Sequence, residues 1–279
     1  VPSYLLDLQC DGAGFHGTQI QASERTVQSV LFAALQRLDP AASAPRMASR
    51  LDQGVSARAL PASCRLHRVW DPNILGLALN QHLPNDLVVT RVAVVADDFD
   101  CLGIPCTKHY SYIVRERAVQ PVLDRHCWWV RELAQRDYLA TLATHIPGRK
   151  DLSAFACLRH DGRDDHDPVR DYRSAAWSSS TDLDGLRHDF TISGRGFLYK
   201  QIRGLVGAMI HIALGRAHPD DFTAAIAAGR QIVRLGNTAP PEGLCLMNVE
   251  FDNPPPWEPI LVRKPPTTNP PNDRPPVQS

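Results

Sequence analysis

The run Tyr4-Leu5-Leu6-Asp7-Leu8-Gln9-Cys10 is short, mostly apolar and stopped by Asp11-Gly12, a pattern that predicts a strand. Thr26 then stands as an N-cap before Val27, Val30, Leu31, Ala34, Leu35 and Leu38, whose spacing predicts a helix ended by Asp39-Pro40. A short strand is predicted over 46–50, with a turn at Asp52-Gln53-Gly54. The alternation over 62–69 predicts another strand, Pro72 opens a helix through Leu79, and the β-branched stretch 87–95 predicts a strand. The order β-α-β-β-α-β is the signature of a ferredoxin-like half, assigned to residues 1–104.

Residues 105–252 repeat this order less cleanly. Strands are predicted over 110–114, 127–130, 173–178, 186–192 and 244–251, and helices over 131–144, 197–214 and 219–228. From 253 to 279 proline dominates, and a disordered tail is predicted because proline supplies neither ladder nor helix donors. The class is α+β.

Composition narrows function mainly by exclusion. With 30 basic and 30 acidic residues the formal charge is zero, so a nucleic-acid partner must be held by a local basic surface. Seven cysteines, without a C-x-x-C pair or a legible leader, predict reduced thiols in a cytoplasmic protein and no zinc site. The longest apolar helical run falls short of the roughly 20 residues that span a bilayer, so no membrane is expected.

Three stretches place polar residues inside elements that read as buried. In the segment 49–57, Asp52 follows a strand on a glycine-bearing turn. In Lys108-His109-Tyr110-Ser111-Tyr112, both tyrosines share one strand face. In the apolar helix beginning near Phe197, Arg203 would be costly unpaired and therefore predicts a buried anionic partner.

Together these residues resemble the TruA family of tRNA pseudouridine synthases. Arg50, Asp52, Gly54, Val55 and Ala57 match its motif G-R-T-D-A-G-V-H-A. Asp11-Gly12, Phe15, Gly17, Gln19, Gln21, Arg25 and Thr26-Val27-Gln28 match its opening. Ala78-Leu79-Asn80, His82-Leu83-Pro84 and Asp97-Asp98-Phe99 match the stretch before the tyrosine. Arg170 fits a later arginine, Phe197, Ile202-Arg203 and Val206-Gly207 fit F-x-x-x-M-V-R-x-x-V-G, and Glu242-Gly243-Leu244 fits the late E-G-L. The resemblance covers about nine tenths of the chain.

The resemblance implies isomerisation of uridine to pseudouridine in tRNA, at positions 38 to 40 of the anticodon arm. Asp52 would be the nucleophile, Arg203 its ion-pair partner, Arg50 the plug replacing the extruded base, and Tyr110 the stacking partner of the uracil. Gln19 and Arg170 join the substrate contacts. It further implies a homodimer, no cofactor and no metal, and two ferredoxin-like halves forming one extended mixed sheet with helices on one face and a central cleft.

Departures from the pattern are Thr18 for Trp, Leu51 and Gln53 beside Asp52, Ser56 for His, and Leu102 for an arginine, with Asp100 adding negative charge. They motivate an alternative reading as a catalytically weak RNA-binding or RNA-folding protein. A separate His/Asp constellation from Arg159 to Asp167 offers a divalent-cation site, as in a metal-dependent hydrolase, but its alternating charges fit a solvated loop better.

Overall fold

The computed structural model describes residues 1–158, 167–183, 185–231 and 233–261. The His/Asp stretch at 159–166 and residues 262–279 of the expected tail lie outside them. In chain order the elements are β1 (Ser3–Cys10), α1 (Val27–Leu38), β2 (Arg46–Met47), β3 (Ser56–Arg65), α2 (Pro72–Asn80) and β4 (Leu87–Val95). Then follow β5 (Cys106–Glu116), β6 (Trp128–Val130), α3 (Tyr138–Thr144), β7 (Gly148–Asp151), β8 (Val169–Asp182), β9 (Gly185–Gly194), α4 (Gln201–Ala213), α5 (Pro219–Ala228), β10 (Leu244–Phe251) and β11 (Glu258–Pro259).

All eleven strands join one sheet in the order β11-β4-β1-β3-β10-β5-β9-β8-β7, with β2 beside β3 and β6 beside β5. The sheet is open and mixed. β10 runs parallel to β3 and β6 parallel to β5, while every other pairing is antiparallel. β10 is thus the seam. It borders β3 through Cys245 opposite Ser56 and Leu246 opposite Ala57, and it borders β5 along most of its own length.

Local chemistry sets the boundaries. Thr26 and Ser29 form a reciprocal capping box on α1, whose buried stripe is Val27, Leu31, Ala34 and Leu35. Asp71 caps α2 through the Ile74 amide at 3.0 Å, with Pro72 in the first turn where no donor is needed.

Several expectations need correction: β2 stops at Met47, β5 spans 106–116 where 110–114 was expected, and β8 spans 169–182 where 173–178 was expected. β3 begins at Ser56 and ends at Arg65, six residues earlier than 62 and four earlier than 69. The apparent breaker Pro61 fits because the pairing there uses only its carbonyl, which accepts from the Ala48 amide at 2.9 Å. The helix expected over 131–144 begins at Tyr138, because the buried Glu116 carboxylate captures the Leu133 amide at 3.0 Å and the Gln135 amide donates to Ala213. The helix expected from 197 begins at Gln201, since Lys200 takes a left-handed backbone (φ 56°) that no α-helix continues.

Finally, residues 253–261 are ordered rather than disordered. β11 pairs with β4, and the Ile260 amide donates to Thr90 at 3.3 Å. Trp257 stacks under the Arg91 guanidinium, which in turn binds the buried Asp7 carboxylate. Asp7 and Arg91 oppose each other in the ladder, so this strap covers a sheet face that would otherwise expose a charged pair.

Candidate active site

Asp52 sits in the loop between β2 and β3, and that loop is clamped from the side by residues 12–18. The Thr18 hydroxyl accepts from the Leu51 amide at 3.0 Å, and the Thr18 amide donates to the Leu51 carbonyl at 3.3 Å. The Ser56 hydroxyl accepts from the Gly12 amide at 3.0 Å. Gly12 approaches so closely that a Cβ there would lie 2.3 Å from the Val55 carbonyl group, which makes glycine obligatory. Two of the departures, Thr18 and Ser56, therefore brace the loop that presents the carboxylate. Val55 closes the turn by donating to the Asp52 carbonyl at 3.2 Å.

Arg203 enters from α4, a helix with ten buried residues. Its Nη1 donates to Asp52 Oδ2 at 2.8 Å and its Nε to the Ala239 carbonyl at 2.8 Å. The side chains are 11% exposed for Arg203 and 19% for Asp52, so the pair is sheltered yet open on one side. The Ala239 amide returns a bond to the Arg203 carbonyl at 3.0 Å. Asp52 Oδ1 has no hydrogen-bond partner among the described residues and remains accessible from the cleft. The anionic partner expected for Arg203 is Asp52.

These groups form the floor of a cleft of about 930 Å³. All six expected site residues line it: Asp52, Arg203, Arg50, Tyr110, Gln19 and Arg170. Tyr110, on β5, is buried, meets Phe197 edge-on at a centroid distance of 5.4 Å, and shares a 3.0 Å hydrogen bond with the Ser49 hydroxyl. Burial pushes its phenol up to about 12, so the ring presents a neutral O–H at ordinary pH. Arg50 projects as an exposed side chain. With the Gln19 amide turned to offer oxygen, Arg50 Nε and Nη2 donate to it at 3.0 and 3.2 Å. Arg170, at the start of β8, donates to the carbonyls of Asp167 and Val169.

Sequence reasoning assigned no role to Ser49, Lys108 or Tyr199, which also line the cleft. The two-residue spacing between Lys108 and Tyr110 was the available signal for the lysine. Leu102 lies at the rim, 49% exposed, and Asp100 is occupied by Arg46 at 2.9 Å instead of facing the cleft alone.

A carboxylate with one oxygen anchored and the other open, beside an aromatic wall and an exposed arginine, suits chemistry on a nucleotide turned out of its stack. Residues 142–252 match the family model described as tRNA pseudouridine synthase. The chain is 31% identical over 253 residues to tRNA pseudouridine synthase A of Cereibacter sphaeroides, covering 90% of this chain and 98% of that protein. The chain belongs to the tRNA pseudouridine synthase family. The like-named protein of Shouchella clausii is 34% identical over 249 residues, covering 88% and 92%, and that of Bradyrhizobium diazoefficiens 32% over 260, covering 90% and 100%. As a pseudouridine synthase the chain is an isomerase. Among the described residues no cluster of three or more His, Cys, Asp or Glu side chains forms a metal site, and no helix is long and apolar enough to cross a membrane.

Proposed function

We propose that this chain isomerises uridine to pseudouridine in tRNA, with Asp52 as nucleophile and anticodon-arm uridines 38 to 40 as targets. The N1–C1′ bond breaks, a C5–C1′ bond forms, C5 loses its proton and N1 gains one, so the reaction balances without an external oxidant, reductant or water. Supporting this reading above all is the 2.8 Å pairing of Asp52 with Arg203 at the cleft floor. A guanidinium at that distance anchors one carboxylate oxygen and leaves the other to face substrate. Tyr110 supplies the face on which the uracil stacks, and Arg50, held among the described residues through Gln19, swings into the space the base leaves. We further take the chain to act as a cytoplasmic homodimer of two-half subunits, residues 1–104 and 105–252, with tRNA spanning both copies.

Asp52→Ala abolishes pseudouridine formation while leaving tRNA binding within about threefold, because the carboxylate acts on the reacting centre and contributes no phosphate contact. Mass-spectrometric mapping of tRNA incubated with wild-type and variant protein checks this, and undiminished turnover in the variant defeats it. The exposed Leu102 at the cleft rim favours the second reading, an RNA-folding protein with feeble chemistry. Under that reading wild-type protein leaves the map blank.

A further inference from the structure

One cation in the cleft has no answering group among the described residues. Lys108 lies on β5 two residues before Tyr110, so both side chains leave the same strand face about 7 Å apart, and both line the cleft. The other cations of the lining are engaged. Arg203 binds Asp52, Arg50 meets Gln19, Arg170 holds backbone carbonyls, and Lys200 lies over Tyr199. The half-buried Lys108 ammonium makes no hydrogen bond or ion pair among the described residues.

Among the described residues its surroundings offer no countercharge. Gly194 opposes it on β9 and Val249 on β10. The ionisable groups that act on it are the thiols of Cys106 and Cys101, which burial pushes above the ordinary thiol range and so keeps neutral. Burial also pulls the lysine below its usual range. An ammonium kept partly out of water without a counter-ion is a cost that no contact among the described residues offsets, and the species that relieves it is an anion arriving from outside.

We propose that Lys108 binds a phosphate of the substrate RNA next to the extruded uridine, so fixing the nucleotide over Asp52. This rests on the tRNA reading of the cleft. Lys108 lies within one nucleotide's reach of the Tyr110 ring on the same cleft wall. With Leu102 at the rim where the family pattern has an arginine, Lys108 bears the share of backbone gripping that the rim gives up.

The test uses the full chain, unmodified tRNA transcripts, and the variants Lys108→Met and Lys108→Arg. Lys108→Met raises KM for tRNA about tenfold with kcat within about twofold. It also lowers the slope of log binding constant against log salt by about 0.7–0.9. Lys108→Arg restores the slope and most of KM, and Lys108→Met unfolds at a temperature equal to or above wild type because an unpaired charge has gone. An unchanged salt slope overturns the proposal, as does a fall in kcat at constant KM, which assigns the lysine to chemistry instead. A lower unfolding temperature with no rescue by arginine also overturns it. If wild-type protein forms no pseudouridine, the tRNA reading itself has failed, an outcome distinct from active wild type with an indifferent Lys108→Met.

Discussion

Tyr110 joins fold and site in one side chain, because its ring is wall to the cleft while its hydroxyl is spent on Ser49. Its folded-state value of about 12 stands above the ordinary one near 10. The stability it contributes is therefore complete below pH 10 and lost as pH rises through 12. Buried Cys10 and Cys64, each pushed from 9.0 to about 12, act in the same direction from pH 9 upward. Tyr110→Phe is expected to cost about 1 kcal/mol at pH 7.5 through the lost hydrogen bond, and to flatten the decline between pH 10 and 12. Urea unfolding at pH 7.5, 10 and 11 measures both. At this scale the candidate site was legible: an arginine in an apolar helix demanded an anion, and Asp52 supplies it. The bracing by Thr18 and Ser56 was not legible, because a small hydroxyl in a loop carries no pattern until its partners, Leu51 and Gly12, are in place.

Helix α4 works through its glycines as much as through its apolar face. A Cβ at Gly204 would lie 1.8 Å from the Phe155 carbonyl oxygen, and one at Gly207 would lie 2.1 Å from that of Asn237. Those backbones press on the helix on either side of the arginine's anchor at Ala239. Gly204→Ala is expected to destabilise by about 2–4 kcal/mol and to reduce pseudouridine formation more than tenfold by tilting Arg203 away from Asp52. Thermal unfolding and initial rates check it, and a variant of wild-type stability contradicts this packing. Arg203→Met leaves Asp52 without its partner and is expected to cost about 1–3 kcal/mol and at least a hundredfold in rate, read by urea unfolding and single-turnover kinetics. The bounds of β4, α5 and β10 match the hydrophobic pattern residue for residue, each being a continuous run flanked by clear breakers. β3 and α3 were misplaced because tertiary bonds decided them: a proline carbonyl used in pairing, and a buried glutamate competing for helix amides.

Across the whole molecule, the strap at 253–261 reaches from the central strand back to the far edge. Proline-rich composition hid it, since its hold depends on Trp257 meeting Arg91 and Ile260 seating against Gly76, neither of which is a local signal. Truncation after Asn253 uncovers the Asp7–Arg91 pair and is expected to lower stability by about 2–3 kcal/mol with the cleft intact. A drop in unfolding temperature with near-normal activity of the remaining folded protein is the expected reading, and an unchanged temperature removes the strap from the account. The order of assembly follows from the place of β10. The strand that joins the two halves is β10, residues 244–251, so β3 and β5 keep open edges until it pairs with both. A chain in which β10 is unpaired carries both the carboxylate and the guanidinium yet lacks the strand that sets one against the other.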